Sequence, residues 1–557
     1  MISALGRKVS IKSQIQGLDG AADLYKVVFN TLLSLRNINL EDLDVKLKNI
    51  PSFELLPNIG QAVDRLVKAV KSKERILLYG DYDVDGVTST TIMYDFLKQI
   101  GANVIPVLPN RNSGYGLSKE LIDLLSKYSN LVLTLDNGTT AIEETKYAKE
   151  KYNMDFIILD HHRINHGEGL PKAIVVNPNL EEDNKLKGVC TAGLSFYMVG
   201  ALRRALGVDF DIKKYLDLVA VGTVADVMPI NSLNRVLISK GLELINKIKD
   251  MPWDMATDIG KAGMKALINY ISKTQNGNQK LITAKDIGFS IAPRINAAGR
   301  IKKPELAMRL LAEKNYERAR ILAEDLNKIN QDRRRISNEM FKEAYSLASQ
   351  SNDDFVILGK HTWHHGVLGI VAGRLSNKLK KPTGIFYINN THAVGSIRSV
   401  EGLDVHKLLS SLSYMFDKWG GHAGAAGVTI KKEYFDAFKQ KINDLLKKES
   451  FEVDRVLEVD MELPLRSVDK RIEEIIERLS PYGELNPEPI FISQDITISS
   501  ISSRGVGVRV KTLDKDKEIE LSCFEEELFV KLRPGQRLKA IYNIDSYGIN
   551  MIDAVFC

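Results

Sequence analysis

With 557 residues, 44% hydrophobic and 27% charged, the chain has a soluble globular composition and is too long for one core, so roughly three or four domains are expected. No apolar run approaches the ~20 residues that span a bilayer. The start, Met1 to Lys8, lacks the apolar centre of a signal peptide. Cys190, Cys523 and Cys557 show no metal-finger spacing, so free thiols in a reducing, cytoplasmic compartment are expected. The net charge of +6 is compatible with a nucleic-acid partner.

Residues 1–70 are mixed and polar, with a helical stretch at Ala21 to Leu35 and no recognisable chemistry. At Ile76 to Tyr79 a short apolar run predicts a buried strand. Gly80 ends it, Asp81, Asp83 and Asp85 follow at alternate positions, and Gly86 turns the chain into a helix over Val87 to Gln99. Acids this close need a cation or several hydrogen-bond donors; a solvated acidic loop capping a helix is the alternative. Further strands are predicted at Val104 to Leu108, Leu131 to Leu135, Phe156 to Leu159 and Ala173 to Val176. Helical patterns at Lys119 to Lys127, Ile142 to Lys151 and Leu194 to Leu206 alternate with them, as in a parallel, doubly wound sheet. Asp136-Asn137-Gly138 and Asp160-His161-His162 come just past two strands, and Asp226 just past the apolar segment Leu216 to Val224. One Asp after a strand is an ordinary turn residue. Four acidic clusters at corresponding places indicate a site, and Asp with His suits Mn²⁺ or Mg²⁺ better than a thiolate-held zinc.

Residues 231–300 form a helical connection with a polar insert, Lys273 to Lys280. They end in Ala292 to Arg300, where Arg294, Asn296 and Arg300 among small residues admit a phosphate, an ordinary basic turn being the alternative. Pro304 to Ser349 reads as one or two long helices bridging two domains, with Pro304 in a first turn and Asn315 as a cap. Arg333-Arg334-Arg335 reads as a solvated face, with contact to a nucleic-acid backbone as the second reading. Residues 355–448 form a second α/β unit, with strand-like runs at Phe355 to Leu358, Thr383 to Tyr387 and Ala393 to Gly395 around a helix at Val367 to Leu379. Trp419 to Gly427 reads as a loop of little bulk whose N–H groups cradle an anion; tight packing between domains is the alternative. After a helix at Val468 to Leu479, about five short strands from Ile496 to Phe556 suggest a small β-barrel. Barrels of this kind track single strands with basic and aromatic groups, here Arg504, Arg509, Lys511 and Phe524.

The segments Gly80 to Gly86, Asp136 to Gly138, Asp160 to His162 and Ala225-Asp226 together resemble the four motifs of the DHH phosphoesterase family. Pro293 to Arg300, Gly395 to Ser399 and Gly420 to His422 are similar to further motifs of its RecJ branch, the single-strand-specific 5′→3′ DNA exonucleases. The resemblance implies an N-terminal extension (1–70), a DHH parallel-sheet domain (71–302), a long connecting helix (303–352), a DHH-associated α/β domain (353–450) and an oligonucleotide-binding β-barrel (451–557). It implies two divalent ions, Mn²⁺ or Mg²⁺, with Asp81 on one, Asp83, His161 and Asp226 on the other, and Asp136 bridging. His162 would face the scissile phosphate, and Asp160 and Asp85 would orient the groups around it. Arg111 and Tyr115 would touch substrate. Ser396 and Arg398 would hold the terminal phosphate, with Arg294, Asn296, Arg300, Gly421 and His422 nearby. Tyr79 stands where many relatives carry His, leaving one metal with fewer protein ligands. Ile397 stands where relatives commonly have Gly, which would narrow the loop. Two ions ~3.5–4 Å apart can clamp both sides of an in-line displacement at phosphorus, one activating water and the other steadying the leaving oxygen. The expected activity is stepwise release of 5′-mononucleotides from single-stranded DNA, in repair and recombination, by a monomer that meets a helicase or single-strand-binding protein. The alternatives are a nano-RNA or cyclic-dinucleotide phosphodiesterase and an inactive single-strand-binding scaffold.

Overall fold

The computed structural model describes residues 1–13, 23–109, 116–164, 167, 169–271, 281–447, 456–505, 507–545 and 548–557. Arg111, Tyr115, the polar insert from Lys273 to Lys280 and the side chain of Arg504 lie outside the described ones. Among the described residues no helix is long and apolar enough to cross a membrane. Strand β1 (Lys8–Ser13) and helix α1 (Leu24–Leu35) come first, followed by α2 (Ile59–Lys71). The first α/β unit then runs β2 (Arg75–Gly80), α3 (Val84–Gln99), β3 (Asn103–Val107), α4 (Lys119–Leu125), β4 (Leu131–Leu135), α5 (Ile142–Tyr152), β5 (Asp155–Leu159) and β6 (Ile174–Val176).

These five strands form one parallel sheet in the order β3-β2-β4-β5-β6. Each is a short run of branched and aliphatic residues, which suits a sheet covered on both faces. Ile76 and Leu78 enter the large core shared with α2, α3 and α6 (Thr191–Leu206), while Leu77 and Tyr79 enter a smaller core under α4 and α5. Helix α7 (Leu216–Ala225) packs on α3, so Asp226 follows a buried helix and not a strand. Its run of apolar residues serves a helix buried nearly all round, which has no amphipathic period to betray it. Helices α8 (Ser232–Asp250), α9 (Trp253–Asp258), α10 (Ala262–Ile268) and α11 (Ala284–Asp286) follow. A π-helical turn, Ile287–Ile291, then leads into α12 (Ala292–Ile301). The basic Ala292 to Arg300 run is therefore helical, with Pro293 in the first turn, where a missing N–H costs nothing.

Two helices, α13 (Glu305–Leu311) and α14 (Tyr316–Ser349), connect the units, and Asn315 caps α14 by accepting the Arg318 N–H at 3.0 Å. The second unit contains β7 (Val356–Lys360), α15 (Leu368–Leu379), β8 (Thr383–Ile388), β9 (His392–Arg398), α16 (Val405–Ser410), β10 (Phe416–His422), β11 (Ala425–Lys431) and α17 (Phe435–Leu446). Its sheet has the order β10-β11-β9-β8-β7. Trp419 to Gly427 is thus a hairpin and not an anion-cradling loop: Ala425 to Gly427 pair with β10 on one side and β9 on the other. Ile397 lies within β9, fully buried in the second unit's core, so it narrows nothing. Strand alternation puts it on the face opposite Ser396 and Arg398.

The last unit comprises β12 (Val456–Glu462), α18 (Lys470–Leu479), β13 (Phe491–Arg504), β14 (Gly507–Asp514), β15 (Lys517–Cys523), α19 (Glu526–Phe529), β16 (Arg537–Asp545) and β17 (Gly548–Phe556). Pairing of β13 with β16 closes the barrel. The sheet includes β1, which pairs in parallel with β12, and α1 buries Val28 and Leu32 in the barrel core. Arg36 locks that helix in place through Asp460 at 3.0 Å and the Pro487 carbonyl at 3.1 Å, both side chains almost fully buried. The start of the chain is therefore built into its last unit. Cys190 and Cys523 are buried free thiols, and Cys557 is an exposed one.

Candidate metal centre

The register Gly80↔Leu135↔Leu159 sets the ends of β2, β4 and β5 side by side. Asp81, Asp136 and Asp160 are the next residues, so they share the carboxyl edge of the sheet, where α/β sites are built. The Asp136 backbone is left-handed, with φ 68°. Asp83 caps α3 by accepting the Gly86 N–H at 3.1 Å. Asp85, in the first turn of α3, accepts the Thr191 and Ala192 N–H groups at 2.6 and 2.8 Å from the start of α6. Thr191 Oγ1 donates to Asp136 Oδ1 at 3.2 Å.

Three overlapping groups of donors result: Asp81, Asp83 and Asp136; Asp85, His161 and Asp226; Asp136, His161 and His162. His161 Nε2 is buried and makes no hydrogen bond, yet it faces Asp136 Oδ1 and Asp226 Oδ2 at 3.3 Å each and Asp85 Oδ2 at 3.8 Å. Burial lowers the His161 pKa, which keeps the imidazole neutral and its lone pair available. Burial, then repulsion from Asp85, Asp83 and Asp81, raises the Asp136 carboxyl well above its ordinary value. Burial, then Asp85 and Asp83, pushes Asp226 up to about 8. The Asp85 carboxyl is likewise raised by burial, against the opposing influence of His161. So many acids around an orphaned imidazole nitrogen fit hard divalent cations, whose charge would reverse the carboxyl shifts and deepen the one on His161.

His162 stands at the edge of this cluster, its Nδ1 4.0 Å from Asp136 Oδ1. Its Nδ1–H donates to Asp160 Oδ1 at 2.7 Å, so Nε2 is the ring's other polar atom. Burial opposes charge on His162, but the hydrogen bond and the charge of Asp160 outweigh it and push the pKa up to about 9. The same pairing overcomes burial to hold the Asp160 carboxyl well below the usual range. Asp160 also accepts the His161 and Thr139 N–H groups, at 2.8 and 3.1 Å. Asn177 and Asn179, absent from the sequence reading, fix the two histidines by donating to the carbonyls of His162 and His161 at 2.9 and 2.7 Å. Their signal was the Asn-Pro-Asn run directly after β6. Tyr79 is not among the donors: its buried hydroxyl donates to the Gly116 carbonyl at 2.9 Å.

Helix α12 joins this centre to the second unit. A Cβ on Gly299 would lie 2.5 Å from the Tyr82 carbonyl oxygen, so only glycine lets α12 back onto the acidic loop. Arg300 Nη1 reaches the Gly366 carbonyl at 3.4 Å, just before α15. There Arg398 Nη1 donates to Ser396 Oγ at 3.0 Å, and a Cβ on Gly369 would lie 2.9 Å from Arg398 Nη2. Arg294 turns the other way, donating to Asn327 Oδ1 at 3.1 Å and to the Ser290 carbonyl at 2.7 Å. Asn296 is half-buried, and Gly421 and His422 are exposed at the end of β10. In the barrel, Arg509 and Lys511 pair with Glu520 and Glu518 at 3.3 and 2.9 Å, while Phe524 is exposed.

Three family descriptions match in chain order: the DHH family N-terminal domain over residues 75–223, the DHHA1 domain over 352–448 and the RecJ OB domain over 459–550. A single-stranded-DNA-specific exonuclease RecJ of Dickeya dadantii is 33% identical over 480 residues, covering 81% of this chain and 80% of the relative. The chain belongs to the RecJ family. The RecJ of Bacillus subtilis is 30% identical over 503 residues, which cover 88% of this chain; the chain spans 61% of that relative's length. The crystal structure of Thermus thermophilus RecJ in complex with Mn²⁺ superposes with a TM-score of 0.81 at 26% identity, covering 98% of this chain and 79% of that one. The RecJ fold here is thus the mixed α/β arrangement of DHH and DHHA1 domains with a closed C-terminal barrel.

Proposed function

We propose that this RecJ-family chain is a single-stranded-DNA-specific exonuclease that works 5′→3′ and releases 5′-mononucleotides, using two divalent ions, Mn²⁺ or Mg²⁺. The observation that carries the reading is the buried His161 Nε2, without a hydrogen bond and ringed by carboxylate oxygens of Asp136, Asp226 and Asp85. Its relatives are named for single-stranded DNA, and the Thermus structure holds Mn²⁺. Asp81, Asp83 and Asp136 would hold one ion, a grouping that moves Asp83 from the ion expected from the sequence; Asp136, His161 and Asp226 would hold the other, with Asp85 anchored to α6 beside them. Bound there, the ions supply Lewis acidity and an acidified water.

The chain's own groups do the rest. Asp160 fixes the His162 ring, so a protonated Nε2–H is aimed at the phosphate and steadies the charge that grows on its oxygens. Ser396 and Arg398, backed by the first turn of α15, hold a terminal phosphate and so set a step of one nucleotide. The reading extends to a role in DNA repair and recombination, and to a cytoplasmic monomer fed by a helicase or single-strand-binding protein. The small-substrate and inactive-scaffold alternatives are not favoured, because the matched RecJ OB domain and the full acid–histidine set are both present. Digestion of end-labelled single strands with Mn²⁺, Mg²⁺ or chelator tests the reading, which fails if label leaves only from the 3′ end. Asp136→Ala is expected to abolish cleavage while single-strand binding persists; retained turnover would refute the metal assignment.

A further inference from the structure

Arg235 is the largest fully buried side chain among the described residues, at 1% exposure, and it makes no ion pair with any of them. A buried charge normally needs a partner of opposite sign, and Asp42 favours this one only from beyond ion-pair range. Arg235 stands in the first turn of α8, whose Leu237 and Ile245 belong to the large core of the first unit. Its Nη1 donates to the Leu479 and Ser480 carbonyls at 2.7 and 3.1 Å, where helix α18 of the barrel unit ends. The last carbonyls of a helix have no partner within it and carry about half a negative charge together. The end of α18 is therefore the counter-charge of Arg235. Asn486 secures the same end from the barrel side, donating to the Leu479 and Pro481 carbonyls at 2.9 and 2.7 Å.

Further ties join the same two elements. The Ile230 N–H donates to the Glu484 carbonyl at 2.8 Å, and a Cβ on Gly483 would sit 3.2 Å from Ile230 Cδ1, so the loop after α18 runs along the segment between Asp226 and α8. Lys285 reaches Glu488 in that loop at 3.5 Å and Asp545 of β16 at 3.8 Å. The segment itself is stiff. Asn231 caps α8 by accepting the Asn234 N–H at 2.9 Å, and Asn234 Nδ2 donates to the Pro229 and Gly188 carbonyls at 2.8 and 2.7 Å. The barrel is thus docked on the short stretch of chain that carries Asp226. By contrast, the Lys378–Glu527 pair at 2.8 Å, which joins α15 to the barrel, is exposed and contributes little. A methionine in place of Arg235 would fill similar space without the cost of desolvating a charge. What the guanidinium adds is direction: bonds to two particular carbonyls admit one docking of α18 on α8, where an apolar contact would admit several.

We propose that Arg235 is a positioning residue that holds the barrel in one alignment with the metal centre, so that a single-stranded substrate engages both at once. The proposal rests on the exonuclease reading above. It is tested with Arg235→Met, Arg235→Gln and Arg235→Lys, assayed with Mn²⁺ on 5′-phosphorylated oligodeoxythymidylates of about 3 and about 20 nucleotides, the longer being able to reach an oligonucleotide-binding barrel. For Arg235→Met, the ratio of kcat/KM on the long strand to that on the short one is expected to fall roughly tenfold, the equivalent of one stacked base, with the loss in KM. Arg235→Lys keeps a charged donor for the same carbonyls and is expected to retain most of the ratio; Arg235→Gln, a neutral donor, should fall between the two. Mn²⁺ affinity by titration calorimetry is expected to hold in all three. A wild-type ratio in Arg235→Met overturns the proposal, as does an equal loss at both lengths, which would mark a structural role. Weakened Mn²⁺ binding also overturns it, since Arg235 would then serve Asp226 and not the barrel. If Arg235→Met does not fold, a wild-type ratio in Arg235→Gln rejects the proposal. A wild-type enzyme that degrades neither strand breaks the exonuclease reading itself. The clamp is then judged by hydrogen exchange of the Ile230 amide, which Arg235→Met or Arg235→Gln is expected to speed at least tenfold; an unchanged rate rejects it.

Discussion

Gly369→Ala separates stability from substrate binding in a way the geometry makes explicit. The added Cβ would lie 2.9 Å from Arg398 Nη2 and 3.0 Å from Ser396 Oγ, against 3.4 Å or more in ordinary contact. Both obstructing atoms are side-chain ends, so Arg398 swings away by about half an ångström or more while the helix stays intact. The fold loses nothing and gains a few tenths of a kcal/mol, up to ~0.5, because alanine has less backbone freedom to give up in a helix than glycine. If Arg398 holds the terminal phosphate as proposed, the strand loses one charge-assisted hydrogen bond, worth about 1.5–3 kcal/mol, or roughly 10- to 150-fold in affinity. KM for 5′-phosphorylated strands should rise by that factor, KM for 5′-hydroxyl strands should change little, and the thermal midpoint should hold or rise. A variant that still prefers 5′-phosphorylated strands by the wild-type margin, with an unlowered midpoint, would refute the placement of the terminal pocket.

The His162–Asp160 pair gives a pH signature in the metal-free protein. A raised imidazole pKa gives its stability below the unfolded value of about 6.5 and loses it as pH rises through the folded value, here about 9. In chelator, His162→Ala should therefore lower the unfolding midpoint most near pH 6 and hardly at all beyond pH 9; a constant difference would contradict this. Tyr79→Phe removes the bond to Gly116 at a cost of about 1 kcal/mol and should leave Mn²⁺ affinity by titration calorimetry unchanged, because the hydroxyl is held by the Gly116 carbonyl and is in none of the donor groups. Weakened Mn²⁺ binding would put Tyr79 back in the site. Arg36→Ala leaves Asp460 buried and unpaired and should cost about 3–5 kcal/mol in urea unfolding, a loss that an N-terminal segment merely resting on the barrel would not produce.

What was legible in the sequence was local. Asp81, Asp136 and Asp160 each follow an apolar run, and the rule that parallel strands align their carboxyl ends brings them together without further information. Asp226 was legible as a residue but not as a helix end, because an unbroken apolar run has no period with which to tell a buried strand from a buried helix. The glycines from Gly420 to Gly427 suggested a loop because they weaken any strand signal; their partner, β9, lies well upstream. Ile397 looked like an obstruction until alternation along β9 sent it into the core. Tyr79 was legible as a residue that gives the metals no ligand, but not that its phenol is held by the Gly116 carbonyl. Nothing local announced that Lys8 pairs with Val456.

That last pairing has a consequence for biosynthesis. At ~5–20 residues per second, translation from β1 to β12 takes on the order of 20–90 s. The DHH and DHHA1 units can fold during that interval, while β1 waits with both edges bare. An unpaired strand edge is an aggregation hazard, and Lys8 and Lys12, alternating with Val9 and Ile11, put positive charge on it. Only when β12 emerges does the ring of sequence close, so the barrel is the last unit to form and a chain interrupted before Val456 cannot shelter its own first strand.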